Sequence, residues 1–192
     1  MAHRPWLTLA SALALLPLLG DRNRPLANEP AIWRQSITAG LHPGDIVFRR
    51  GVGPLADAVA AASFSSVGRA NWTHVGIVTQ PAGGGPLYVT HAIDGRGVVM
   101  DPPERFFSAA EASAGSVVRM ERGRGAAEIA MTFVGRPFDA ALSLSNQEAI
   151  YCTELMFISM LQAGIRLEVP LRKLPLSEPV LMPDDLQRAF ST

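Results

Sequence analysis

The chain is predicted to fold as α+β, and three observations carry that prediction. Short β-branched runs gather between residues 73 and 121, separated by turns rich in glycine and proline. Helix-compatible stretches lie on both sides of that block, the order expected of an α+β domain. Residues 149–163 are dense in apolar side chains and free of proline and glycine until Gly164, which suits a buried helix better than a strand.

Composition narrows the function classes. The 192 residues suffice for one domain with a full core, and 48% are hydrophobic. Formal net charge is zero, so no nucleic-acid partner is indicated. Lys173 is the single lysine, the remaining basic charge being arginine. One cysteine, Cys152, excludes an internal disulfide framework and a cysteine-rich zinc site. No cofactor motif is present.

Residues 1–20 read as a signal peptide or N-terminal anchor. His3 and Arg4 precede an apolar run that Pro17 ends, short for the roughly 20 residues a spanning helix needs. Residues 21–30 read as a tether, and 31–192 as a single domain. A short amphipathic helix is expected over 31–39, closed by Gly40. The turn Leu41-His42-Pro43-Gly44-Asp45 then feeds a strand at 46–50. Residues 54–64 are alanine-rich and helical, and 65–71 form a loop. Strands follow at 73–79 and 87–93 across a Pro81-Ala82-Gly83-Gly84-Gly85-Pro86 turn. Asp94-Gly95-Arg96-Gly97 leads to another at 98–100, which makes an antiparallel meander. A helix is expected at 103–112 with Phe106 and Phe107 against the sheet, a strand at 116–121 and a helix at 126–134. Gly135-Arg136-Pro137-Phe138-Asp139 breaks that helix before the cysteine segment. A short strand at 167–169 and a helix at 183–190 complete the chain.

Ser145 or Asn146 is the expected N-cap of the cysteine helix, with Glu148 in its first turn. Cys152 then falls within about two turns of the positive end of the helix dipole, where a thiol is biased toward thiolate. A lone cysteine is more often a small buried hydrophobe, so position alone does not decide its role. Strand alternation puts His74, Gly76 and Val78 on one face and Val75 and Ile77 on the other. His91 lies on the return strand with Val89 and Ile93, where it is able to neighbour His74. Gly76 leaves a gap in which the cysteine helix is expected to approach. Cys152, His74 and His91 would then act as nucleophile, base and orienting group. Each histidine also has a plainer reading, as a satisfied side chain of a half-buried strand. The same three ligand types suit zinc, but no close-spaced pair supports such a site. His42 precedes a proline in a turn and is left unassigned.

Pro43-Gly44-Asp45-Ile46-Val47-Phe48, Thr73-His74-Val75-Gly76-Ile77-Val78, Gly135-Arg136-Pro137-Phe138-Asp139 and Tyr151-Cys152-Thr153-Glu154-Leu155 occur in that order. Together they resemble the permuted NlpC-type papain-like hydrolases, the YiiX/YebB-like group, over about residues 41–163. The resemblance implies a circularly permuted papain-like fold with Cys152 as nucleophile and His74 as base. The group's third polar residue falls on the strand after the histidine strand, which is His91 here. YiiX-like members often carry an acid there, while lecithin:retinol acyltransferase-like enzymes carry a histidine. Asp94 is a weaker stand-in. Asp45 and Glu154 read as framework hydrogen-bonding residues.

The function expected on this basis is an exported thiol-dependent hydrolase cleaving an amide or ester through a cysteine acyl-enzyme. A small peptide, a peptidoglycan fragment or a lipid is the substrate class. A lipid acyltransferase or lipid hydrolase is the second expectation, and a non-catalytic binding module on the same fold the third. The N-terminus implies a periplasmic location or a membrane anchor facing the periplasm.

Overall fold

The computed structural model describes residues 29–62, 72–173 and 178–190. The expected signal or anchor, all but the last two residues of the tether, and the loop at 65–71 lie outside the described residues. In chain order the elements begin with α1 (Glu29–Ala39), β1 (Ile46–Arg50), α2 (Pro54–Ala62), β2 (His74–Thr79) and β3 (Tyr88–Ile93). They continue with β4 (Gly97–Asp101), α3 (Pro103–Phe106), β5 (Ala114–Val118), α4 (Gly123–Met131) and α5 (Cys152–Gln162). A two-stranded ribbon of β6 (Arg172–Lys173) and β7 (Pro179–Val180) precedes α6 (Pro183–Ala189).

The β-branched runs pair as an antiparallel five-stranded sheet of order β4-β3-β2-β1-β5. Alternation along each strand divides the core in two. Ile46, Phe48, Val75, Ile77, Ala92 and Val98 face α4 and α5 and meet Ala126, Ala130, Leu155, Met156 and Met160. Val47, Val78 and Val89 face the other way, onto Phe106 and Phe107, with Trp33 and Ile37 of α1 behind them. Leu155, Met156 and Met160 of α5 are almost fully buried, each contributing about 1.5–3 kcal/mol. Helix α5 ends where Gly164 takes φ 76°. There Ile165 N–H bonds the Met160 carbonyl at 2.9 Å and Gly164 N–H the Leu161 carbonyl at 3.0 Å, a Schellman closure.

The expected strand at 116–121 and helix at 126–134 form two or three residues earlier, as β5 and α4, and two other expected elements differ more. Helix α3 stops at Phe106 instead of running to Ala112. Arg49 donates to the Phe106 carbonyl, and Arg34 to the carbonyls of Phe107 and Ala112, so oxygens that a longer helix would use are taken. Residues 167–169 form no strand. Ile165, Leu167 and Val169 do alternate against the α5-side core, but among the described residues the segment has no ladder partner. Alternation records burial of one side of a chain, and a strand also requires a neighbour.

Candidate active site

The site lies at one end of the sheet, where β2 begins and α5 begins. His74 is the first residue of β2 and pairs with Arg49 of β1. With Gly76 and Val78 it faces α3, so it is on the side of the sheet away from α5. His91 of β3 shares that face. This corrects the expectation that the imidazoles and the cysteine helix meet on one side of the sheet. Ridges of Val75 and Ile77 support α5, while the two histidines pack against Phe106, with ring centroids 5.7 Å and 5.1 Å away. Gly76 serves a different purpose from the one expected. A Cβ there would stand 2.5 Å from Val89 Cγ1 and 3.1 Å from His91 Cβ, so the glycine makes room for the neighbouring strand and not for the helix.

The histidines are joined directly, His74 Nε2 to His91 Nδ1 at 2.8 Å. His91 is fully buried, and its Nε2 reaches Asp101 Oδ2 at 3.2 Å. Asp101 is clamped by both terminal nitrogens of Arg96 at 2.8 Å, with Arg105 at 3.5 Å. Asp101 lies outside the sequence motifs, and Asp94, the weaker stand-in beside them, is exposed in the turn. A signal for Asp101 did exist. The tight turn pairs Ile93 with Gly97 and His91 with Val99, which puts Asp101 diagonally across from His91 on the same face.

Burial pushes His74 well below its usual range, and the charge of Arg49 lowers it further. Burial also lowers His91, against the opposing pull of Asp101. The hydrogen bonds from Arg96 and His91 hold Asp101 well below the usual carboxylate range. Both rings are therefore neutral at rest and the carboxylate is ionised. Arg49, which the motifs did not single out, stacks on Phe106 at 4.7 Å and pairs with Glu111 at 2.9 Å.

Cys152 is the first residue of α5, and Tyr151 is the N-cap in place of Ser145 or Asn146. Two local ties explain the shift. Asp139 accepts from the N–H groups of Ala141 and Ser143, and Asn146 from that of Glu148, which holds the preceding residues as loop. Glu154 Oε2 bonds back to Tyr151 N–H at 3.3 Å and fixes the helix start, the framework role expected of it. Asp45 likewise bonds His42 N–H at 2.8 Å and Arg119 at 3.0 Å.

The thiol differs from its expectation. Burial pushes Cys152 up, outweighing Thr153 Oγ1 at 3.8 Å and the backbone N–H groups of Val75, Thr153 and Cys152 itself. The helix start is where it was expected to favour thiolate, but the same packing that seats Cys152 there removes it from water. The resting pair is thus neutral thiol and neutral imidazole.

Cys152 and His74 line one cavity of about 290 Å³, together with Arg49, Thr73, Tyr151 and Thr153. Its walls are mainly apolar: Val52, Leu55, Ala56 and Val59 around α2, Phe138 and Leu142 before α5, and Leu181 and Met182 before α6. Leu142 holds a left-handed φ of 53° at this wall. The segment before α5 borders the cavity through Ala140 and Leu142, and α2 and residues 181–183 form much of the remaining wall. A zinc ion held by both His74 Nε2 and His91 Nδ1 would set them about 3.3 Å apart, whereas here they meet at 2.8 Å in a hydrogen bond. Among the described residues no group of three or more His, Cys, Asp or Glu side chains is placed to hold a metal ion.

Comparison with known proteins agrees with this architecture. A solved structure described as the metalloprotein YiiX from Escherichia coli O157:H7 superposes with a TM-score of 0.60 at 20% identity, covering 76% of this chain and 91% of that one. No curated protein matches. Residues 40–187 match the family described as permuted papain-like amidase enzymes, YaeF/YiiX, C92. The chain belongs to that permuted papain-like amidase family and at the family level is a cysteine hydrolase.

Proposed function

We propose that the protein cleaves an amide bond through a thioester on Cys152, with His74 as the general base. The observation that carries this reading is the shared cavity: a cysteine at a helix start and a histidine bonded to a buried polar chain open onto the same space. His74 Nε2 is engaged by His91, so Nδ1 is the atom left for the thiol. The Sγ proton passes to Nδ1 as sulfur bonds the carbonyl carbon. The C–N bond then breaks, with the proton going to the departing amine. Water, deprotonated by His74, attacks the thioester, the C–S bond breaks and the thiol returns. The first N–H groups of α5 have no intrahelical acceptor and are donors suited to the oxyanion. With residues 1–20 read as a signal or anchor, the reaction belongs to the periplasm, and a peptide of the cell wall is the first substrate class.

A second reading, hydrolysis or transfer of a lipid acyl group, is favoured by the apolar walls that α2 gives the cavity. One experiment addresses both. A thiol-directed acylating probe at about neutral pH should label wild type faster than an unactivated thiol does, and Cys152→Ser and His74→Ala should each abolish that excess while circular dichroism stays native. Labelling no faster than an unactivated thiol would end both readings. Incubation with muropeptides and with phospholipid separates them: peptide cleavage supports the first, and fatty-acid release without peptide cleavage overturns it.

A further inference from the structure

We propose that Asp101 is a positioning residue that, acting through His91, keeps the proton of His74 on Nε2 and leaves its Nδ1 lone pair bare. Its purpose rests on the cysteine-hydrolase reading above, whereas the proton placement rests on geometry. Asp101, held by two Arg96 nitrogens at 2.8 Å, is an acceptor only. The 3.2 Å contact therefore requires His91 to donate from Nε2. A neutral imidazole has one N–H, so Nδ1 of His91 is bare and accepts. The 2.8 Å contact to His74 then requires His74 to donate from Nε2. By the same count Nδ1 of His74 carries no proton, and that is the atom free to receive one from the thiol.

The chain of reasoning also runs in reverse. Without an acceptor at position 101, His91 is free to carry its proton on Nδ1 and donate toward His74. The proton of His74 then moves to Nδ1, which has no lone pair left to take the proton of the thiol. Asp101 is one strand beyond His91 and does not line the cavity, so its influence on the base passes through the rings. The short Asp94-Gly95-Arg96-Gly97 turn serves the same end twice. It sets the register that faces Asp101 to His91, and it supplies the Arg96 clamp.

The test is imidazole ¹⁵N NMR on the full chain, combined with the rate of Cys152 labelling by the acylating probe. In wild type both rings should carry their protons on Nε2. In Asp101→Ala the His74 proton should appear on Nδ1 in a substantial fraction, and labelling should slow by about 10²-fold or more. Asp101→Asn, which retains an oxygen for His91, should keep the wild-type tautomers and label at an intermediate rate. Protons on Nδ1 in wild type would overturn the proposal, and that reading does not depend on any variant folding. Asp101→Ala with unchanged tautomers would overturn it as well, whether or not labelling slows, since any loss would then come from charge alone. A wild type whose tautomers are as stated but whose thiol is unreactive would instead remove the hydrolase reading and leave the proton placement standing.

Discussion

Glu154 links the placement of the candidate nucleophile to pH. It sits two residues after Cys152, only 3% exposed, and bonds the Tyr151 N–H that starts α5. Burial raises it from 4.5 to about 7, more than the Tyr151 hydrogen bond lowers it. Between those two values the folded chain holds a proton that the unfolded chain has released. The slope of unfolding free energy with pH follows protons bound by the unfolded state minus those bound by the folded state, which is negative here. The contribution is therefore fully present below pH 4.5 and is lost as pH rises through about 7. At 1.36 kcal/mol per pH unit the gap corresponds to a ceiling of about 3 kcal/mol. Glu154→Gln keeps an acceptor for Tyr151 N–H but cannot ionise. Urea unfolding of both proteins from about pH 5 to about pH 8.5 should show the variant gaining on wild type by about 2–3 kcal/mol across that range. Taking the difference cancels the titration of the histidines, which runs the other way. A difference that stays flat to within about 0.5 kcal/mol would refute the argument, because Glu154 would then be ionising as it does in water.

Two further predictions follow from the relay and its packing. Because His74 is pushed well below 6.5, it stays neutral and able to accept a proton in mildly acidic solution. The acid limb of the labelling rate should accordingly lie below pH 6.5, and a midpoint at or above that value would contradict the burial argument. Gly76→Ala would force a methyl to within 2.5 Å of Val89 Cγ1 and 3.1 Å of His91 Cβ. It should cost about 1–3 kcal/mol in urea unfolding and slow labelling by displacing His91, whereas an unchanged midpoint would show that β2 and β3 separate freely.

The local elements were legible in the amino-acid order, and so was the candidate pair, Cys152 and His74, that the fold sets on one cavity. Apolar periodicity and the absence of helix breakers mark α5, β-branched runs between glycine-rich turns mark the sheet, and the four motifs single out Cys152 and His74. Other features depend on parts of the chain that are distant in sequence. Strand alternation says which residues share a face but not which helix covers it, so His74 and His91 were assigned to the wrong side. Only the packing of α5 on Val75 and Ile77, and of Phe106 on the histidines, decides that. The start of α5 and the state of its thiol were each a contest between local and tertiary effects. Ser145 and Asn146 are sound caps by type, but loop bonds at Asp139 and the Glu154 contact with Tyr151 move the boundary to Cys152. A helix N-terminus favours thiolate, but the core formed around it removes the water that would solvate the charge. Asp101 and Arg49 escaped notice because a carboxylate or guanidinium gains its role from what the fold sets beside it, and sequence spacing does not encode those neighbours.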